Sequence, residues 1–231
     1  MKSLFYSYDM NVDKAYIIRI KGNPISEEKA KNCAESCLNV GMPFDFWDAY
    51  DGTGDFIKTP DHLSNDQIMS CIKLTDHYLV RAEVCCALSH ISLWAKCVIQ
   101  DKPIVILEHD AIMVRPYLTH TVFNSIAYLG CNEQAQKGWN IFPTPPHGTD
   151  GPNYHFILRA HAYAIDPAVA KNMLAHVLQY GISKSLDVVL RADIFPIHQI
   201  GLFAFDDQDG KTTIEGRSEM NRSNVRIDNM K

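Results

Sequence analysis

No CxxC pair occurs among the seven cysteines of this 231-residue chain, which stand at 33, 37, 71, 85, 86, 97 and 131. Their odd number argues against a disulfide framework and their scatter against structural zinc, so reduced thiols filling a core are the plain reading. Positive charge is scarce as well: 22 Lys and Arg face 27 Asp and Glu, for a net charge of −5. That balance excludes a nucleic-acid groove and a polybasic membrane surface as expected partners. No apolar run approaches the roughly 20 residues that a membrane-spanning helix needs. The first residues, MKSLFYSYDMNVDK, turn polar and acidic too early for a signal peptide. A cytoplasmic protein without a transmembrane segment is the expectation.

The common nucleotide and hydrolase signatures are missing too. There is no G-x-x-x-x-G-K-[ST] loop, no G-x-S-x-G elbow and no H-E-x-x-H. Gly52-Thr53-Gly54 is a lone GxG that reads as a turn. Ser89 and His90 are neighbours on a predicted helix, where adjacent side chains diverge, so they do not form a nucleophile pair with each other. No internal repeat or low-complexity tract is visible.

What the chain does have is a core and a regular alternation of elements. It is 46% hydrophobic and 21% charged, enough to bury a substantial interior. Lys14 to Ile20 reads as a strand, broken by Gly22-Asn23-Pro24. Ser26 suits a helix N-cap, with Glu27 and Glu28 at the positive end of the dipole. Ala30, Cys33, Ala34, Cys37 and Leu38 then form a helical stripe that Gly41 stops, and Phe44 to Trp47 is a second strand. Residues 52–80 read as a loop-rich insertion. Arg81 to Gln100 has helical periodicity, and Pro103 to Leu107 follows as a buried strand. Tyr154 to Ile165 reads as strands, Asp166-Pro167 as a helix start, and Ile194 to Phe205 as a last strand region. The expected class is α/β, one domain over residues 1–205 with a mainly parallel central sheet, then a polar tail over 206–231.

The chemistry concentrates where the strand at 103–107 ends in Glu108-His109-Asp110. In an extended backbone residues i and i+2 share a face, so Glu108 and Asp110 are expected to point one way and His109 the other. Two adjacent carboxylates repel unless a cation lies between them, and Mg²⁺ or Mn²⁺ suits oxygen ligands. Ligands of open α/β sheets bind outside the carboxyl ends of strands, which is where these acids fall. The alternative is a polar turn in which Asp110 caps a following element. Asp187, an acid inside Ser185-Leu-Asp-Val-Val-Leu190, reads as a helix cap or a working group. His198, polar within Ile194-Phe-Pro-Ile-His-Gln-Ile200, favours a structural hydrogen bond when taken alone.

Four segments, in order, resemble glycosyltransferase family 25, the lipooligosaccharide and collagen galactosyltransferase-like group. They are Tyr16-Ile-Ile-Arg-Ile20 through Asp48-Ala-Tyr-Asp-Gly52; Glu83-Val-Cys-Cys-Ala-Leu-Ser-His-Ile-Ser-Leu-Trp94; Ile104-Val-Ile-Leu-Glu-His-Asp-Ala111; and His161-Ala-Tyr-Ala-Ile165 followed by Leu186-Asp187 and Pro196-Ile-His-Gln199. The resemblance implies a single GT-A type, Rossmann-like domain. Its activity would be hexose transfer, galactose or similar, from a UDP-sugar donor to a glycan or glycoconjugate acceptor, with inversion at the anomeric carbon. It places Mn²⁺ or Mg²⁺ on Glu108 and Asp110, with His198 as a weaker third ligand, and the general base on Asp187. Arg19, Glu83, Ser89, His90 and His109 would line the substrate side; by charge and position alone, Lys211 and Arg217 of the tail would fold over the diphosphate as a lid. The chain departs from the family pattern at His109, where a middle acid is usual, and at Arg19, where Asn is frequent. Those departures motivate the alternative of a catalytically degenerate nucleotide- or glycan-binding module. A metal-dependent phosphoesterase built on the same acids is a third reading, short of metal ligands.

Overall fold

The computed structural model describes residues 12, 14–53, 56–65, 67–74, 79–117, 125–130, 142–144, 154–156, 160–182, 185–192 and 194–207. A strand, β1 (Ala15–Arg19), leads into a helix, α1 (Pro24–Val40), and back to β2 (Phe44–Asp48). A 3-10 turn at Asp61–Leu63 and a short α2 (Gln67–Ser70) interrupt the insertion before α3 (Arg81–Gln100). Then follow β3 (Ile104–Glu108), β4 (Ala111–Met113), β5 (Ile126–Gly130), β6 (Phe142–Thr144), β7 (Tyr154–Phe156) and β8 (Ala162–Ile165). The described chain closes with α4 (Pro167–Tyr180), α5 (Leu186–Val189) and β9 (Ile197–Asp206).

Seven strands form one sheet in the order β2-β1-β3-β8-β5-β9-β4, and β6 and β7 pair separately. The expectation of a mainly parallel sheet needs correction. β1–β2, β1–β3 and β5–β9 are parallel, while β3–β8, β5–β8 and β4–β9 are antiparallel, so the sheet is mixed. Strand composition carries no mark of this. A strand buried on both faces reads as a continuous apolar run whichever way its neighbour points.

Alternation along the strands builds two cores. Tyr16 and Ile18 of β1 and Ile104 and Ile106 of β3 face the layer that holds α3 and α4. Ala15, Ile17, Val105 and Leu107 face the layer of α1. Successive side chains point to opposite faces, so a strand that is buried on both sides must be apolar at every position, as β3 is up to Leu107. Glu108 continues the α3 side of that alternation and His109 the α1 side.

α3 is the central helix of the first core. Although its apolar run is interrupted, by length and composition it is long and apolar enough to cross a membrane, and most of it is buried inside the fold. The six described cysteines are all free thiols, and Cys33, Cys37, Cys85 and Cys97 are buried.

The start of α1 differs from the expectation. Asn23, not Ser26, caps α1: its side chain accepts the Ser26 N–H at 3.0 Å, and Pro24 takes the first turn. Pro is favoured there because its missing N–H would have no helical partner. Ser26 is thereby released, and its Oγ accepts the Ile20 N–H at 2.8 Å. At the far end Gly41 adopts φ 72°, the left-handed geometry that glycine supplies at little cost. Asp166 caps α4 as expected, accepting the Ala168 N–H at 2.8 Å.

Ile106 is fully buried in β3 and Ile99 on α3 is 78% exposed. Ile106→Ala should destabilise the protein by about 2–5 kcal/mol, and Ile99→Ala by less than about 0.5 kcal/mol, in urea unfolding. Equal effects would contradict the two-core arrangement.

Candidate active site

β3 delivers Glu108 to the edge of the first core with its side chain 29% exposed. Its Oε1 lies 3.2 Å from Nε2 of His90 and 3.8 Å from the Cys86 sulfur, both on α3. His90 and Cys86 are four apart, so one helix face presents both. Nδ1 of His90 is 2.8 Å from the Tyr163 hydroxyl on β8, and the Trp94 indole N–H donates to that same hydroxyl at 2.9 Å. Burial alone raises the pKa of Glu108. The His90 hydrogen bond, with the charge of the nearby imidazoles when protonated, more than reverses this and holds it at about 2. Glu108 is therefore a carboxylate at neutral pH.

The extended backbone ends at Glu108, and His109 and Asp110 form a turn. His109 points to the other layer, as alternation requires, with Nδ1 3.1 Å from Ser26 Oγ at the start of α1. Strand alternation no longer applies to Asp110, which lies in the turn. Its Oδ1 is buried and has no hydrogen-bond partner among the described residues. Burial, the charge of Glu108 and the charge of Asp206 push its pKa up to about 7. Asp206 ends β9 and pairs in register with Ala111, and the Asp207 N–H donates to the Asp110 carbonyl at 2.8 Å. Lys29 of α1 is close enough to oppose the rise.

Gly130 brings β5 against this region. A Cβ there would sit 2.5 Å from His161 Cε1 and 2.6 Å from the Tyr128 hydroxyl. His161 is buried, its carbonyl accepts the Glu108 N–H at 2.8 Å, and its imidazole is among the groups that hold the Glu108 pKa down. A side chain at 130 would displace that support.

Other residues singled out from sequence fall elsewhere. Ser89 is fully buried; its hydroxyl donates to the Cys85 carbonyl at 2.7 Å and accepts the Tyr50 N–H at 3.0 Å, which ties α3 to the end of β2. Glu83 closes the first turn of α3 by accepting the Val80 N–H at 3.1 Å. Arg19 pairs with Asp48 at 3.0 Å and lies over the Phe46 ring at 4.3 Å, at the carboxyl ends of β1 and β2. Asp187 lies on α5, which packs beside α3. His198 is exposed. It stands one residue beyond Ile197, and Ile197 is level across the sheet with Ile126, Ile165 and Ile104. The structure therefore leaves His198 three strands and three residues from Glu108, roughly 17 Å by ideal sheet spacings, too far to share an ion. Lys211, Arg217 and the tail beyond 207 lie outside the described residues.

Asp206 was the residue that reading the sequence missed. Its signal was present: Leu202-Phe-Ala-Phe-Asp-Asp207 is an apolar strand that stops on two acids, the pattern already seen at Glu108. Cys86 and Tyr163 were missed because only the packing of α3 on β3 and β8 shows what they touch.

The raised pKa of Asp110 has a stability consequence. Between its ordinary value of 3.8 and about 7 the folded protein binds a proton that the unfolded chain has released. The Asp110 contribution is thus most favourable at low pH and is lost as pH rises through that window. In EDTA, wild type minus Asp110→Asn should lose unfolding free energy between about pH 4 and pH 7. A difference that stays flat or grows over that range would contradict the burial of Asp110.

The model of glycosyltransferase family 25, described as an LPS biosynthesis protein, matches residues 12–136. No curated protein gives a significant match. The matched stretch covers more than half of the chain and runs from before β1 to beyond β5, including Cys86, His90, Glu108 and Asp110. The chain belongs to glycosyltransferase family 25, a family of glycosyltransferases.

Proposed function

We propose that the protein transfers a hexose, galactose or one like it, from a UDP-sugar to a glycan or glycoconjugate acceptor, with Mn²⁺ or Mg²⁺ at the carboxyl ends of β3 and β9. The fold is read as a single GT-A type, Rossmann-like domain. The observation that carries this reading is the buried Oδ1 of Asp110, without a partner among the described residues and within the fields of the ionised Glu108 and of Asp206. A buried carboxylate oxygen without a donor is costly, and an all-oxygen acidic set suits a hard divalent cation. A bound ion would act as a Lewis acid toward the charge that grows on the departing diphosphate.

The chain's own residues then divide the work. Asp110 and Glu108 hold the ion, and Asp206 adds negative charge beside them. His198 has no place in this set, given its position on β9. Inversion needs one displacement at the anomeric carbon and a base for the acceptor hydroxyl, and Asp187 is the residue assigned to it. Arg19, at the ends of β1 and β2, supplies positive charge on the donor side. Nothing about His109 favours the degenerate alternative, because its side chain turns to Ser26 and away from the α3 face of Glu108.

UDP with Mn²⁺ at saturating concentration should raise the melting temperature by about 5 °C or more, the size expected for ligand near a hundred times its Kd. Asp110→Ala should remove the shift, and the wild type should release UDP from a UDP-hexose. Failure of every nucleoside diphosphate to move the melting temperature with Mn²⁺ would reject the reading.

A further inference from the structure

Trp94, Tyr163 and His90 form a buried chain that ends on Glu108. All three are at most 1% exposed. The direction of each hydrogen bond follows from what each group can give. The Trp94 indole N–H is a donor only, so the Tyr163 oxygen accepts from it at 2.9 Å. The hydroxyl keeps one proton of its own. Its other partner among the described residues is Nδ1 of His90, at 2.8 Å. A hydroxyl proton left unmatched at a fully buried site is costly, so that proton goes to Nδ1. Nδ1 is then the acceptor, and the neutral ring carries its proton on Nε2, aimed at Oε1 of Glu108 3.2 Å away.

This has a consequence at the carboxylate. Oε1 is taken by His90, with the Cys86 sulfur at 3.8 Å on the same oxygen. Among the described residues Oε2 has no hydrogen-bond partner, and the side chain is 29% exposed. The relay thus pins one oxygen and leaves the other as the one offered to the site. We propose that Tyr163 is a positioning residue: by holding the His90 proton on Nε2 it fixes the Glu108 carboxylate so that Oε2 faces the ligand. No bond is made or broken in this role, and no proton leaves the chain.

A competing arrangement uses the same atoms. One ligand atom each from Cys86, His90 and Glu108 lie within 4.8 Å of one another, as in a thiolate-containing site for zinc. Such an ion would need the Nε2 lone pair, and the Tyr163 hydroxyl commits that nitrogen to its proton instead. The two arrangements differ in one observable, the tautomer of His90.

Long-range ¹H–¹⁵N NMR of the metal-free protein labelled at histidine reads that tautomer directly, with His90→Gln used to assign the signals. The expected result is a protonated Nε2 and an unprotonated Nδ1 in the wild type, and a measurable Nδ1-protonated fraction in Tyr163→Phe, where the Glu108 carboxylate alone favours Nε2, with the circular dichroism spectrum unchanged. A protonated Nδ1 in the wild type, or a tautomer indifferent to Tyr163→Phe, would overturn the proposal. So would a cobalt–thiolate charge-transfer band on adding Co²⁺ that Cys86→Ser removes and Cys71→Ser does not. A second arm rests on the transferase reading above: kcat for UDP-sugar turnover should fall about 10-fold or more in Tyr163→Phe, with KM for the donor nearly unchanged. An unchanged kcat would count against the positioning role. A wild type that releases no UDP would instead reject the transferase reading, and the tautomer result then decides this proposal by itself.

Discussion

The hydrogen bond between His90 and Glu108 joins the central helix of one core to the end of β3. α3 supplies the imidazole, β3 the carboxylate, and β8 the Tyr163 hydroxyl that lies behind the ring. Each partner is placed by apolar packing: Leu88, Ile91 and Trp94 on α3 against Ile104 and Ile106 on β3. The polar chain is thus set within that core. Its members are satisfied along its length, which is the condition under which a buried polar network specifies one geometry.

Negative charge at the turn is the second constraint. Glu108 is kept ionised by the imidazoles around it, while Asp110 is pushed the other way by burial and by the charges of Glu108 and Asp206. Two carboxyl groups two residues apart in sequence therefore have opposite protonation tendencies. Environment, not residue type, separates them. A divalent ion would reverse the position of Asp110 by offering its buried oxygen the partner that it lacks among the described residues. His109 turns to the α1 side, where Ser26 receives it, within the fields of Lys29 and Asp206.

Much of this was legible in the chain. Asp166-Pro167 and Gly181 bounded α4 because caps are local chemistry, and α3 announced itself through twenty residues of one periodicity. The strand ending on Glu108 was readable because apolar residues stop where a core stops. Ser26 was misread as a cap since both Asn23 and Ser26 have the right chemistry; the proline after Asn23 decides between them. The two antiparallel partners that make the sheet mixed, β8 between β3 and β5 and β4 beside β9, leave no trace in composition. His198 and Asp206 show the same limit from two sides. Both lie on β9, yet only the register of β9 with β4 and β5 shows that its far end, not its start, meets the acids of β3.

The reading stands on a cation at the Asp110 oxygen. Anomalous diffraction from crystals soaked in Mn²⁺ and UDP, collected at the manganese edge, tests this most directly. A peak within about 2.2 Å of an Asp110 carboxylate oxygen, with Oε2 of Glu108 turned toward it and Oε1 still on His90, is the predicted result. A map with no peak at that carboxylate, or with manganese bound by Cys86 and His90, would contradict it.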